Sequence, residues 1–193
     1  VIVQFGGQTA INLADGLEKA GVNLLGTSFD IVDQLEDRKR FYDVLEALDI
    51  PHVPGAIANN EAELVAFADE IGFPVLVRPS YVIGGAGMNI YNSKTELEAG
   101  IKNSVYPILI DQYLPGKEAE VDLAADGTDI CVPIIAEHIE KAGVHSGDSM
   151  AYLPSQTLSK SVKEKLVDYA GKIVKYLNYK GLMNIQYVIS GED

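Results

Sequence analysis

Residues 73–88 read FPVLVRPSYVIGGAGM, a strand signal followed directly by a loop with three glycines. The apolar run Phe73–Val77 predicts a short buried strand that carries Arg78 at its end. Arginine offers a planar fork of donors that matches phosphate oxygens, and glycines let backbone N–H groups approach an anion without a Cβ in the way. The stretch therefore predicts a polyphosphate site. The alternative is an ordinary surface loop after an edge strand, because a Gly-rich loop alone is a weak signal.

The loop fits neither of the two common Gly-rich phosphate motifs. No Gly-Lys-Ser/Thr follows, so it is not a P-loop, and no G-x-G-x-x-G opens a helix, so it is not a Rossmann fingerprint. A second basic cluster lies at the start of a predicted helix over 36–48, where Arg38, Lys39 and Arg40 oppose the helix macrodipole. Such a local conflict is typical of a position that serves function.

The composition excludes several classes of protein. The 193 residues suffice for one domain of ordinary size, or one domain with a piece of a neighbour, and 47% of them are hydrophobic. The net charge of -13 argues against a nucleic-acid partner, although a small anion can still bind in a local basic pocket. No stretch approaches the length of a membrane span. Cys131, between Ile130 and Val132, is predicted to be a buried thiol, which is compatible with a reducing cytoplasm.

The order of the elements predicts a mixed α/β fold. Strands over 1–5 and 22–25 enclose a helix that ends at Gly21, which together make a βαβ fragment of a parallel sheet. An antiparallel meander is expected in the middle of the chain. Further helices are predicted over 28–34, 36–48, 61–71, 94–104 and 159–177, and further strands over 73–77, 88–91, 108–113, 119–125, 130–139 and 183–189. The chain begins in mid-strand and stops soon after another strand, so we expect an excised piece of something longer.

Two predicted strands separate polar from apolar residues by simple alternation. One face carries Glu120, Asp122, Asn184 and Gln186, and the other carries Val121, Leu123, Ile185 and Tyr187. Two acids on one strand face are most often a solvated surface. Alternation alone therefore does not identify a binding site.

Several separated motifs nevertheless agree on a family. In chain order they are Gly6-Gly7-Gln8-Thr9, Glu36-Asp37-Arg38, Arg78-Pro79-Ser80-Tyr81 with Gly84-Gly85, Glu120-Val121-Asp122, EHIEKAGVHSGDS over 137–149, and Asn184-Ile185-Gln186. The set resembles the large subunit of carbamoyl phosphate synthetases across essentially the whole chain. Residues 142–148 and 180–184 resemble the second half of that subunit, which phosphorylates carbamate, rather than the first half, which phosphorylates bicarbonate.

The resemblance implies an ATP-grasp fold of the α/β (α+β) class, in which two lobes hold ATP between them. Residues 1–35 would be the C-terminal part of a Rossmann-like preATP-grasp domain, and residues 36–193 an ATP-grasp domain truncated at its C-terminus. The implied activity is that of a cytoplasmic ligase that uses ATP and Mg²⁺ (or Mn²⁺) to convert carbamate to carbamoyl phosphate, for pyrimidine and arginine biosynthesis. The implied partner is a small glutaminase subunit, with no nucleic acid and no membrane.

The resemblance also implies individual roles. The phosphate contacts would be Arg38 and Arg78, of which Arg78 would also be catalytic, and Gly84 and Gly85 would lie in a mobile loop over the triphosphate. Gln112 and Leu114 would line the adenine, where Gln112 replaces a histidine found in some members. Glu120 would contact the ribose, Gln186 would bind metal and nucleotide, and the loop around ribose and phosphates would contain Gly143, Val144, His145 and Ser146.

One departure from the family limits the expected activity. The principal magnesium ligands of the family, in a Glu-x-Asn-Pro-Arg strand, lie beyond the end of this chain, so we expect the chain alone to bind nucleotide weakly and not to turn over. His52, Asp122, Glu137 and His138 are interpreted as structural. Two alternatives stay open, another ATP-grasp ligase such as a biotin carboxylase, and a nucleotide-binding module without catalysis.

Overall fold

A computed structural model describes residues 1–4, 7–79, 88–102, 104–143 and 150–191. Its helices are α1 Gly7–Ile11, α2 Ala14–Lys19, α3 Phe29–Glu36, α4 Arg38–Ala47, α5 Glu61–Ile71, α6 Lys94–Gly100 and α7 Lys160–Leu177. Its strands are β1 Gly55–Ala58, β2 Val75–Pro79, β3 Asn89–Tyr91, β4 Ile108–Gln112, β5 Lys117–Asp126, β6 Ile130–Lys141, β7 Ala151–Tyr152 and β8 Lys180–Ile189. They form two four-stranded sheets, in the orders β1-β4-β2-β3 and β7-β6-β5-β8.

The chain divides into two compact units. The first unit contains Val1–His52, Ala119–Glu137 and Leu153–Tyr187, and the second contains Val53–Glu118, His138–Tyr152 and Val188–Asp193. None of the helices among the described residues is long and apolar enough to cross a bilayer.

The second unit has its core between the first sheet and the helices α5 and α6. The strands contribute Val75, Val77, Ile108 and Ile110, and the helices contribute Leu64, Ala68 and Leu97, all of them buried. Helix α5 has the predicted bounds, because Asn60 caps its start by accepting from the N–H of Glu63 and Gly72 ends it with a φ of 86°. The strand alternation then turns Leu76 and Arg78 to the face away from this core.

The first unit has its core between helix α7 and the second sheet. The helix begins at its N-cap Ser159, whose side chain accepts from the N–H of Val162, and it ends at Asn178 in the left-handed region. Its buried residues recur at helical spacing, namely Val162, Leu166, Ala170, Ile173, Val174 and Leu177. Val121 and Leu123 of β5 are also buried, and the Tyr187 hydroxyl of β8 donates to the Leu166 carbonyl at 3.2 Å.

The predicted βαβ fragment at the start of the chain is only partly present. Residues 1–4 and 22–25 are not strands, and the helix between them is broken into α1 and α2. The α-amino group of Val1 donates to the Asn23 carbonyl at 2.9 Å, and the Leu25 N–H donates to the Val1 carbonyl at 2.7 Å. These two bonds have the pattern of a parallel strand pair. Val1 makes both of them, and a single paired residue does not form a strand.

Three other differences from the sequence predictions have local causes. Cys131 is exposed rather than buried, because alternate residues at the start of β6 face outward. Strand β1 was not predicted, since its sequence Gly-Ala-Ile-Ala has little intrinsic strand preference and the strand forms by pairing with β4. Strand β7 has two residues and carries no periodic signal of its own.

Candidate functional site

Arg78 lies at the end of β2, as predicted, on the face of the sheet away from the helices. In the ladder it faces Leu109, and the next residue of β4 on that face is Asp111. Arg78 Nη2 is 3.5 Å from Asp111 Oδ2; the Arg78 side chain is 43% exposed, whereas that of Asp111 is 9% exposed. A nearly buried carboxylate thus orients a half-exposed guanidinium directly before residues 80–87.

Gly143 begins the segment predicted to surround ribose and phosphates, and its position is fixed by three hydrogen bonds. Its own N–H donates to Glu118 Oε1 at 3.1 Å. The neighbouring Ala142 donates its N–H to the Gly116 carbonyl at 3.1 Å and accepts from the Tyr113 hydroxyl at 3.1 Å. Tyr113, which lies between the predicted residues Gln112 and Leu114, is therefore close to Gly143 in the second unit.

The backbone at Gly143 requires glycine. Its φ is +91°, a region that L side chains rarely adopt, and a Cβ there would come 3.1 Å from the Tyr113 ring. A larger residue at position 143 would therefore be strained.

Glu118 is a site residue that the sequence reasoning missed. Besides accepting from Gly143, its Oε2 lies 3.3 Å from Nδ1 of His138, whose side chain is 7% exposed. A signal was present in the sequence, since Glu118 precedes Glu120 by two residues, the period of a strand. The contact with Gly143 joins residues 25 positions apart, so only the fold reveals it.

The predicted adenine-lining residues Gln112 and Leu114 flank Tyr113 at the end of β4. Gln112 faces Val75 in the ladder, and its N–H donates to the Pro54 carbonyl at 2.9 Å. By alternation its side chain is on the opposite face of the sheet from Arg78. Both residues are partly buried. The structure therefore does not bring the Gln112 side chain to the same face as Arg78, and the adenine contact stays a prediction.

In the first unit, the polar face predicted for β5 and β8 is a hydrogen-bonded cluster. Asn184 Nδ2 donates to Glu120 Oε2 at 3.1 Å and to Asp122 Oδ1 at 2.9 Å, and Gln186 Nε2 donates to Glu120 Oε1 at 3.3 Å. We call Glu120, Asp122, Asn184 and Gln186 the polar cluster. Carboxylate and amide oxygens of this kind are ligands that Mg²⁺ accepts.

Arg38 is the first residue of α4, after the N-cap Asp37, and belongs to the first unit. Its Nε and Nη2 donate to the Tyr42 hydroxyl at 2.9 and 2.7 Å. The guanidinium is thus held one helical turn from its own Cα by a partly buried phenol.

A family model described as carbamoyl-phosphate synthase L chain, ATP binding domain, matches residues 37–193. The chain belongs to this family. A carbamoyl phosphate synthase arginine-specific large chain of Geobacillus stearothermophilus is 66% identical over 192 residues, which are 98% of this chain and 18% of that protein. The same large chain of Bacillus subtilis is 53% identical over 191 residues, 97% of this chain and 18% of that protein. This chain spans less than a fifth of the length of these relatives.

A solved structure with a similar fold identifies the fold of this chain. A biotin carboxylase domain of the Hydrogenobacter thermophilus 2-oxoglutarate carboxylase, in complex with MgADP, ADP and bicarbonate, aligns with a TM-score of 0.71 at 22% identity, covering 93% of this chain and 42% of that one. At this identity the likeness concerns the fold alone. It confirms the predicted ATP-grasp fold.

Some residues of the predicted carbamoyl-phosphate synthase site lie outside the described ranges, namely Gly84, Gly85, Val144, His145 and Ser146. Within the described ranges, no group of three or more His, Cys, Asp or Glu side chains is placed to hold a metal alone. The polar cluster offers two carboxylates and two amides instead. This donor set fits Mg²⁺, which is commonly bound through one or two carboxylates together with substrate phosphate oxygens and water.

Glu137, interpreted as structural, is surrounded by donors of the protein itself. It is 2% exposed. Its Oε2 accepts from the N–H groups of Gln156 and Thr157 at 2.9 and 2.8 Å, and its Oε1 accepts from the Thr157 hydroxyl. It ties the segment before α7 to β6.

Proposed function

We propose that this chain is the ATP-binding part of a carbamoyl phosphate synthase large chain, in the half that transfers a phosphoryl group from ATP to carbamate. The family match over 37–193 and the names of the relatives support this assignment. The structural observation that supports it is the position of Gly143. Tyr113, beside the residues assigned to the adenine, bonds to Ala142, and Glu118 accepts from Gly143, which is assigned to the ribose and phosphates. The predicted division into a preATP-grasp tail over 1–35 and an ATP-grasp domain from 36 is part of the proposal.

The residues named above have the chemistry that the reaction needs. Transfer of a γ-phosphoryl group to a carboxylate-like acceptor depends on positioning and charge stabilisation more than on a protein nucleophile. Arg78, oriented by Asp111, and Arg38, held by Tyr42, would neutralise and orient the phosphate oxygens. Gly143 would present its backbone carbonyl group to the nucleotide, since its N–H donates to Glu118. Gln112 and Leu114 would line the adenine, and Glu120 would contact the ribose.

The polar cluster would hold magnesium. The resemblance assigns Gln186 to the metal and Glu120 to the ribose. Glu120, Asp122 and Asn184 add further oxygen donors on the same face. When bound, the ion neutralises charge on the β- and γ-phosphate oxygens. Manganese has the same preference for oxygen donors and would occupy the same residues.

The rest of the proposal concerns the whole enzyme. Its reaction would be carbamoyl phosphate synthesis from bicarbonate, glutamine-derived ammonia and ATP, with a small glutaminase subunit as partner and a cytoplasmic location. The relatives named arginine-specific favour arginine biosynthesis over pyrimidine biosynthesis. A nucleotide-binding module without catalysis is the second candidate.

Calorimetric titration with ADP, with and without Mg²⁺, tests the nucleotide site. Arg78→Ala should weaken ADP binding by about tenfold or more, because each charge-assisted hydrogen bond contributes about 1.5–3 kcal/mol. Lys94→Ala is a matched control that also removes one positive charge from the second unit, where Lys94 pairs with Asp69 at 2.6 Å on the surface. Equal affinities of wild type and Arg78→Ala would remove the polyphosphate from this strand end.

The acceptor is tested in the full-length protein by ATP formation from MgADP and carbamoyl phosphate, the reverse of the proposed step. Arg78→Ala should abolish this reaction and leave bicarbonate-dependent ATP hydrolysis in place, since the latter is assigned to the other half. Loss of the second activity alone would assign this chain to the bicarbonate step. If the protein binds nucleotide but Arg78→Ala changes neither activity, the result would favour the module without catalysis.

A further inference from the structure

The guanidinium of Arg38 is held by an arrangement that the family resemblance did not indicate. Tyr42 lies one turn further along α4, and its hydroxyl accepts from two nitrogens of the guanidinium, Nε at 2.9 Å and Nη2 at 2.7 Å. The Arg38 Cζ is 5.2 Å from the centre of the Tyr42 ring. The phenol therefore lies at the Nε–Nη2 edge of the planar group and fixes the direction of the guanidinium plane.

The neighbouring Arg40 shows what a different partner does. Its Nη2 is 2.7 Å from Asp30 Oδ1, its Nη1 is paired with Asp33, and the Arg40 guanidinium lowers the pKa of the Asp30 carboxyl. These carboxylates balance the charge of Arg40. A neutral phenol oxygen, by contrast, accepts hydrogen bonds from Arg38 and carries no negative charge of its own. Tyr42 thus orients the guanidinium without adding a negative charge beside it.

Tyr42 is itself fixed from the other side. The His52 ring stacks on the Tyr42 ring, with centroids 4.0 Å apart and planes 25° apart. His52 Nε2 lies 3.6 Å from Glu46 Oε1, and the His52 side chain is 21% exposed. An aromatic pair of this kind contributes about 0.5–1.5 kcal/mol beyond its buried area, so the stacking favours the orientation of the phenol that faces Arg38.

We propose that Tyr42, supported by His52, is a positioning residue that holds the Arg38 guanidinium in the orientation in which it contacts the phosphates of the nucleotide. The inference rests on the proposed function, in which Arg38 binds phosphate. It assigns to His52, interpreted as structural from the sequence, a part in substrate binding that acts through Tyr42. Neither residue is expected to touch the reacting atoms.

The test compares six variants of the full-length protein by calorimetric titration with MgADP and by steady-state kinetics. Tyr42→Phe keeps the ring and its stacking and removes only the hydroxyl, and we expect about tenfold weaker MgADP binding and a tenfold higher KM for ATP, with kcat within about threefold, since a ground-state contact is lost. Arg38→Ala should weaken binding at least as much. The double variant of Arg38 and Tyr42 should bind MgADP with the same affinity as Arg38→Ala alone. Tyr176→Phe, at a tyrosine that is 55% exposed, should equal wild type.

The double-mutant cycle separates positioning from general stability, because a structural effect of Tyr42→Phe would persist in the absence of Arg38. His52→Ala should weaken MgADP binding less than Tyr42→Phe does. His52→Phe, which preserves the stacking on Tyr42, should bind MgADP with the affinity of the wild type. Unchanged affinity in Tyr42→Phe beside a weakened Arg38→Ala would overturn the role of Tyr42 and leave the proposed function standing. Wild-type affinity in Arg38→Ala would overturn the assignment of Arg38 and this inference with it.

Discussion

Glu137 and Glu120 lie on strands of the second sheet, and both of their carboxylate oxygens accept hydrogen bonds, yet their donors differ. Glu137 is 2% exposed and accepts from two backbone N–H groups and a hydroxyl. Glu120 is partly exposed and accepts from two side-chain amides, those of Asn184 and Gln186. The first carboxylate is held by groups that the fold fixes, and the second by groups that rotate.

This difference separates a structural carboxylate from one that is proposed to bind a ligand. Backbone donors in a buried position cannot turn to water, so loss of their acceptor leaves them unsatisfied at a cost of about 1–3 kcal/mol. An amide side chain on an open strand face can turn its own oxygen toward a cation and return to the carboxylate afterwards. Burial and the identity of the donors, rather than the residue type, indicate which glutamate serves the fold.

The largest expected effect is on stability at Glu137. Glu137→Gln keeps the shape of the side chain but replaces one acceptor oxygen by an NH₂ group that faces fixed donors, so the free energy of unfolding should fall by about 2–3 kcal/mol. Urea denaturation measures this. Glu164→Gln, an exposed acid of α7 paired with Lys160 at 3.6 Å, is the control and should change stability by less than about 0.5 kcal/mol. If both variants lower the free energy of unfolding equally, Glu137 is not the structural carboxylate described above.

Glu120→Gln should affect Mg²⁺-dependent ADP binding rather than stability. Because the polar cluster is on an open strand face, the free energy of unfolding should change by less than about 0.5 kcal/mol. Removal of a carboxylate from the proposed magnesium site should weaken Mg²⁺-dependent ADP binding by about tenfold, which is about 1.4 kcal/mol. Calorimetry with and without Mg²⁺ measures this, and Asp129→Asn, at an exposed acid in the loop after β5, is the control. A large stability loss without any change in magnesium dependence would contradict the assignment.

Local signals predicted much of the fold. The bounds of α5 and the start of α7 follow from Asn60, Gly72 and Ser159, residues whose capping chemistry is readable from the sequence. The two faces of β5 are confirmed, since Val121 is fully buried and Asp122 is exposed. In these cases the deciding partner lies within four residues.

Partners that are distant in sequence could not be predicted. The pairing of Arg78 with Asp111 depends on the register between β2 and β4, and the contact of Gly143 with Glu118 spans 25 residues. Strand β1 exists because β4 lies beside it. Likewise, nothing near Glu137 in the sequence indicates its donors, which lie 19 and 20 residues away.

Thr157→Val sharpens the comparison at one donor of Glu137. The variant removes the hydroxyl donor and keeps the shape of the side chain and both backbone donors, so the carboxylate remains largely satisfied. The free energy of unfolding should fall by about 1 kcal/mol, less than for Glu137→Gln. Urea denaturation again provides the value, with Thr128→Val in the turn after β5 as the control. A loss as large as that of Glu137→Gln would show that the hydroxyl, rather than the backbone, holds the carboxylate.

The smallest effect at neutral pH concerns the buried face of β8, opposite Gln186. Burial raises the pKa of the Tyr187 hydroxyl above its ordinary value of 10.0, and the nearby Tyr169 raises it further. Because the folded pKa is raised, the unfolded chain ionises first, so stability is complete below about pH 10 and declines as the pH rises beyond it. Tyr187→Phe should cost only about 0.5 kcal/mol at pH 7, where it removes the bond to Leu166.

Above pH 10, Tyr187→Phe should instead flatten the decline by up to about 1.4 kcal/mol per pH unit, the value for one proton. Urea denaturation at pH 7, 9, 10 and 11 measures the slope, and Tyr176→Phe is the exposed control. Parallel slopes for wild type and Tyr187→Phe would mean that this face of β8 is hydrated in the folded chain. The two faces of the strand would then differ less than the two glutamates do.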